Sequence, residues 1–353
     1  MAKEIWFNGD KGFSKNCLFS FFETIRGTGK TYWAKKKMVD YFLETGQRAF
    51  YVRRYDSELK PQKNFWGQIT SEYPNLIFGQ NGRTLLIGRP EEQEEGKKPK
   101  LHDAGALIPL SKALTLKSVD YASVGLIVFD EFQIPKGNYH YLSGEVGAFL
   151  DLYETVNRLR GFDYKTGVSL PNNEVRVIFL ANRISDYNPY YDYFHINFKG
   201  QDTYRRGEIY AQRPEMKLFQ EAKQQTRFAK LIEGTEYGNY NLHGEQQDAY
   251  DNKQIEQRPK DSHFWHSVVV SNVTYGMWAD RDGKVYISDK YDPTIPINFA
   301  LARGDAGDGL YYATKQDGFG KRLAYKYKLG MVFYENARIK ENVQPAIARY
   351  CTQ

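Results

Sequence analysis

Apolar residues fall in short runs along the chain. Four stretches, 17–23 (CLFSFFE), 48–54 (RAFYVRR), 125–130 (GLIVFD) and 174–182 (EVRVIFLAN), are apolar at most successive positions. That is the pattern of strands covered on both faces, as in parallel sheets. Between the first two, Ala34, Met38, Tyr41 and Phe42 recur at i, i+4, i+7 and i+8, a helical face that Gly46 closes. Strand, helix and strand in this order predict an α/β domain, a mostly parallel sheet flanked by crossover helices. Two shorter runs, NLIFG (75–79) and TLLIG (84–88), flank the turn signal QNGR and predict an inserted hairpin. EEQEEGKKPK (91–100) reads as a solvated loop. Farther on, Val146, Phe149, Leu150, Tyr153 and Val156 form the buried stripe of a helix that puts Asp151, Glu154 and Arg158 on its opposite face.

The pattern dissolves from 201 to 226 into a charged stretch, predicted to be a linker with room for one helix. After it, FWHSVVVSNVTYGMW and KVYIS, joined by ADRDGK, predict an antiparallel meander opening a second domain. The expected organisation is therefore 1–200, a linker at 201–226, and 227–353. A chain of 353 residues is long enough for two cores, and 28 Tyr with 22 Phe exclude a disordered chain. Cys17 and Cys351 make no metal or disulfide framework, which fits a reducing compartment. No segment approaches about 18 continuous apolar residues, so neither secretion nor a membrane span is expected. A net charge of +6 is compatible with a polyanionic partner but does not require one.

Chemistry enters at 24–31, TIRGTGKT. A nucleotide-hydrolysing site needs backbone N–H groups folded round phosphates at a helix N-terminus, a lysine on the outer phosphates and a hydroxyl on Mg²⁺. Thr24, Arg26, Gly27, Thr28, Gly29, Lys30 and Thr31 supply such a loop for ATP. Thr24 stands where the pattern G-x-x-x-x-G-K-[ST] has glycine, and its Cβ is expected to distort the strand exit without displacing Lys30. About one hundred residues later the apolar run ends in IVFDEF. There Asp130 is expected to hold Mg²⁺ and Glu131 to polarise the attacking water. A lone Asp suits a kinase, whereas Asp followed by Glu suits a hydrolase.

Asn182 ends the run VIFLAN, where its amide could sense the terminal phosphate; the competing reading is a turn-forming Asn before Arg183. Arg158 either enters a neighbouring copy's site as a finger or pairs with Glu154 along its own helix.

YVRRY (51–55), IPLS (108–111), IVFDEF (127–132), ETVNRLR (154–160), NPYY (188–191) and TRFAKLIEGTEYG (226–238) resemble the DNA-packaging ATPases of small tailed bacteriophages with protein-primed genomes. That family is similar to the ASCE class of P-loop NTPases and to the large terminase subunits. The resemblance implies a homo-oligomeric ring, a pentamer, at the portal of an empty prohead in the host cytoplasm, driving double-stranded DNA inward with ATP and Mg²⁺. It supports Lys30 and Thr31 in the loop, Asp130 and Glu131 at metal and water, and Arg158 acting in trans, with Arg160 a competitor two residues away. Lys117, and behind it Lys112, resemble the family's pore-facing loop, where a mobile charge can meet a passing phosphate. The second domain resembles a ribonuclease-H-type nuclease, which implies a smaller α+β fold. Its opening strand brings Ser271 and Asn272 where two-metal cutting would need acids, and Asp280 and Asp282 sit in a turn. A cutting-incompetent domain retained to bind DNA, portal, a structural RNA or a neighbouring subunit follows. The rival readings are a helicase-type motor of the same sheet class and a slow, nucleotide-switched portal scaffold.

Overall fold

Every residue of β1 (Phe19–Thr24) and β6 (Val124–Asp130) is buried, as is all but one of β2 (Arg48–Arg53); such strands lie in the middle of a covered sheet. The computed structural model describes residues 5–90, 99–115, 121, 123–134, 141–142, 144–170, 173–185, 188–198, 200–243, 254–270, 273–295, 298–301, 311–312 and 318–352. Two compact units are formed. One comprises Met1–Tyr139, Val146–Ile184 and Ile196–Gln247; the other comprises His140–Glu145, Ser185–His195 and Asp248–Gln353.

In the first unit α1 (Asp10–Phe13) precedes β1, and α2 (Lys30–Thr45) leads to β2 and the single turn α3 (Asp56–Leu59). The hairpin β3 (Ile77–Asn81) and β4 (Thr84–Gly88) follows as expected, then β5 (His102–Pro109). After β6 come α4 (Glu145–Asn157), a small hairpin β7 (Phe162–Asp163) and β8 (Val168–Ser169), and β9 (Arg176–Asn182). The helix α5 (Pro189–Phe194) belongs to the second unit. β10 (Thr203–Arg206), β11 (Ile209–Gln212), α6 (Lys217–Gln224), α7 (Arg227–Ile232) and the turn α8 (Glu236–Gly238) complete the first.

The nine strands run in the order β10-β11-β1-β9-β6-β2-β5-β4-β3, parallel from β11 to β5 and antiparallel at both margins. β9 thus lies between the loop-bearing β1 and the acid-bearing β6. One face packs on α1 and α2 through Phe22, Trp33, Met38 and Tyr51. The other is aromatic: Phe21 stacks on Phe179 at 4.1 Å, and Phe149 of α4 joins Phe129 and Phe179.

The stretch 201–226 is not a bare linker, since it supplies β10, β11 and α6. Its strands are four residues each at the sheet margin, too short and too polar to stand out as apolar runs. In α4, Leu152 rather than Leu150 is buried beside Val146, Phe149 and Val156.

The second unit has the expected meander, β12 (His263–Val270), β13 (Val273–Ala279) and β14 (Val285–Ser288). β15 (Asn298–Ala300) and β16 (Tyr311–Tyr312) then join parallel to β12, and β17 (Val332–Tyr334) parallel to β14, in the order β16-β15-β12-β13-β14-β17. Three antiparallel strands followed by parallel ones match the ribonuclease-H-type arrangement. α9 (Gly318–Lys328) and α10 (Ala337–Thr352) cover the core through Leu323, Val343 and Ile347.

Candidate nucleotide-hydrolysis site

Three adjacent parallel strands, β1, β9 and β6, end at one edge of the first unit's sheet, and their last residues are Thr24, Asn182 and Asp130. Register brings Thr24 directly opposite Asn182. The distortion expected at Thr24 does not occur, because a β-branched residue fits an extended strand end. Its hydroxyl instead accepts a hydrogen bond from Lys30 Nζ at 2.9 Å and lies 2.5 Å from the Thr28 hydroxyl. The loop then turns at Gly27 (φ 92°) and Gly29 (φ 90°), a left-handed backbone that glycine adopts without strain. Gly29 caps α2, so the first N–H groups of a 16-residue helix open toward the loop.

Lys30 is buried, and its amine donates to Thr24 Oγ1, to the Ile25 carbonyl at 3.2 Å and to Asn182 Oδ1 at 3.0 Å. Burial pulls its pKa down to about 8, against the opposing pull of Asp130, Glu131 and Glu23. The Asn182 side-chain oxygen is thus turned to the lysine. Thr31 Oγ1 donates to Asp130 Oδ2 at 2.7 Å, so the two residues expected to share Mg²⁺ already converge.

Glu131 follows Asp130 with φ +62°, in a region costly for a residue with a side chain. Arg54 fastens this turn by donating to the carbonyls of Glu131 (3.1 Å) and Phe132 (2.8 Å). The Glu131 carboxylate meets Arg53 Nη2 at 2.5 Å, and the same guanidinium nitrogen bonds Glu58 at 2.7 Å. Burial pushes the Glu131 carboxyl up and Arg53 pulls it back. Tyr51 OH donates to Asp130 Oδ2 at 2.6 Å. These three residues of YVRR were quoted in the sequence only for resemblance. Their roles come from β2 pairing with β6, with Tyr51 opposite Val128, and a one-dimensional reading does not contain that register.

Arg158 lies just past α4 with φ 39°, exposed, its Nε donating to the Thr155 carbonyl at 3.0 Å. Arg160 is turned inward and donates to the carbonyls of Val124 and, at 2.7 Å, Tyr121. Lys112 is paired with Asp56 at 2.8 Å. Arg26 is exposed at the loop. Lys117, Ser271 and Asn272 lie outside the described residues. Asp280 accepts hydrogen bonds from the Lys284 N–H (2.8 Å) and from Tyr286 OH (3.0 Å), which occupies it within its own turn.

A glycine-turned loop capping a helix and a strand ending in Asp with Glu directly after it, with a further strand between them, define an ASCE-type P-loop NTPase. A family model described as podovirus DNA encapsidation protein (Gp16) matches residues 1–350, and the chain belongs to that family. The DNA packaging protein of Bacillus phage phi29 is 32% identical over 348 residues, 96% of each chain. A chain of the bacteriophage Phi-29 viral genome packaging motor assembly superposes with a TM-score of 0.66 at 30% identity, over 99% of this chain and 100% of that one. The crystal structure of the N-terminal domain of the DNA packaging ATPase from bacteriophage phi29 is similar at TM-score 0.50 and 30% identity, over 60% of this chain and 98% of its own.

Proposed function

We propose that this chain hydrolyses ATP to drive double-stranded DNA into an empty prohead, as a ring of copies docked on the portal vertex in the host cytoplasm. The observation that carries this reading is the meeting of Lys30, Thr31, Asn182 and Asp130 at the ends of adjacent parallel strands, with Glu131 one residue beyond. The donor set fits Mg-ATP. The loop offers backbone donors and a buried cation to phosphate, while a hydroxyl and a carboxylate 2.7 Å apart are hard oxygen ligands suited to Mg²⁺.

Lys30 holds the outer phosphates, and Thr31 with Asp130 would hold Mg²⁺, whose charge offsets that of the phosphate oxygens. Glu131 orients and polarises water once its carboxylate leaves Arg53. Asn182 shares Lys30 with the phosphate and so registers its loss. The exposed Arg158 serves a neighbouring copy's site, while Arg160, tied to its own backbone, supports the turn that presents it. DNA is gripped through its backbone by cations that include Lys112 and Lys117, because packing a whole genome cannot depend on sequence. The second unit binds portal, DNA, a structural RNA or a neighbour without cutting.

The test is ATP turnover with and without long duplex DNA and proheads, for the native chain and for Glu131→Gln. Duplex- and prohead-stimulated turnover that the substitution abolishes, together with packaging, is expected. A Glu131→Gln chain that still packages would reduce the protein to a scaffold, and stimulation by single strands alone would favour a helicase.

A further inference from the structure

Two apolar patches of the first unit stand exposed to water without a part in the chemistry above. The first is the β7/β8 hairpin, where Leu159 is 72%, Phe162 48% and Tyr164 78% exposed. The hairpin is a built element. Leu170 N–H donates to the Gly161 carbonyl at 2.7 Å, Asp163 accepts from Lys165 N–H (2.9 Å) and Thr166 Oγ1 (2.7 Å), and Asn157 Oδ1 accepts from Val175 N–H (2.9 Å) at its base. The second patch is the outer rim of the phosphate loop. Trp6, 62% exposed, lies 5.6 Å ring to ring from Phe219. A methyl group added at Gly29 or Gly27 would come within 3.6 and 3.5 Å of these two rings respectively. Phe7 N–H donates to the Thr28 carbonyl at 2.9 Å and Lys223 Nζ to the Arg26 carbonyl at 3.0 Å, so both aromatic segments are fastened to the loop.

We propose that these patches are the two halves of one head-to-tail contact between copies of this chain, the hairpin of one covering the Trp6–Phe219 rim of the next. The partner follows from Arg158, and the inference rests on the reading of that residue as a finger acting in trans. Arg158 immediately precedes Leu159 at the foot of the hairpin. An arginine serving a neighbour's phosphate loop must be carried to its rim, so whatever flanks the arginine meets whatever flanks the loop. On this chain both flanks are apolar and aromatic, the composition of interface cores. Because the two patches differ, the contact is heterologous and propagates round a ring instead of closing two copies face to face. Charge adds a condition. Arg158 and Lys165 on one side would face Arg26 and Lys223 on the other, so bound nucleotide phosphates should favour the contact by lying between them.

Both native cysteines are buried, so introduced surface thiols report cleanly. Full-length Tyr164→Cys chain is mixed with Trp6→Cys chain, and separately with Phe219→Cys chain, under mild oxidation with a non-hydrolysable ATP analogue. A disulfide-linked mixed product is expected, absent from each chain alone and reduced without the analogue. Phe162→Asp/Tyr164→Asp, exposed changes expected to keep the native melting curve, should weaken self-association by about ten-fold or more. Tyr164→Cys linking chiefly to itself overturns the proposal, as does absence of mixed product with both partners. Adding Arg158→Ala to the thiol-bearing chain separates the two readings. Cross-linking with turnover lost supports both, whereas cross-linking with turnover intact removes the finger and leaves the contact standing.

Discussion

At Lys30 a buried amine with a pKa near 8 lies where the proposed site would receive phosphates. Phosphate stabilises the charged amine, so binding raises that pKa, and above pH 8 the amine must take up a proton to bind. ATP affinity is therefore expected to fall as pH rises through about 8. Titration calorimetry above pH 8 in two buffers of different ionisation enthalpy would measure the uptake, and identical heats would contradict it. Arg53 holds Glu131 and Glu58 and lies 3.9 Å from Asp130. Arg53→Ala leaves these carboxylates without their shared cation, and a loss of about 3 kcal/mol is expected from breaking a largely buried pair, read from denaturant midpoints. The phosphate loop was legible because its parts are contiguous, and Asp130-Glu131 because they end an apolar run. Tyr51, Arg53 and Arg54 gain their roles only through cross-strand register.

Among the elements, the end of α4 separates two arginines that sequence alone left in competition. Arg160→Ala removes two bonds to backbone carbonyls and should cost about 1–2 kcal/mol in a thermal or denaturant melt. Arg158→Ala should leave the melt within about 0.5 kcal/mol yet, on the proposed role in trans, abolish DNA-stimulated turnover. A large stability loss at Arg158 would recast it as structural. The central strands were readable because burial on both faces leaves an uninterrupted apolar run. β5 was not, although it is the parallel neighbour of β2, since it opens His-Asp-Ala-Gly. Gly105 is there for close approach: a methyl group would sit 1.9 Å from the Ala49 carbonyl oxygen. Gly105→Ala should therefore disrupt pairing of β2 with β5, seen as lost amide protection along Ala49–Arg53.

Across the whole molecule, the second unit's core, from Val268 to Cys351, is made of its own C-terminal segment. A fragment 248–353 is expected to melt cooperatively, but below the temperature of that unit in the full chain. It would lack α5, whose Asp192 meets Arg338 at 3.0 Å and Asn342 at 2.7 Å. A non-cooperative melt would show that Ser185–His195 is required for folding. Sequence spacing predicted an α/β domain and a meander opening a second one, but it could not show that 140–145 and 185–195 are lent from the middle of the chain. Such interleaving leaves no mark on local periodicity.

That loan has a consequence for the path of the chain. The amide of Asn182 touches the lysine that would hold the nucleotide, and with Ser185 the polypeptide has already crossed into the second unit. Only Arg183 and Ile184 intervene, each bonded through its N–H to the first unit, at Thr24 and Gln133. With about 3.8 Å between successive Cα atoms, the passage from one unit's chain to the other's is two residues long, and both of its N–H groups are fastened to the first unit.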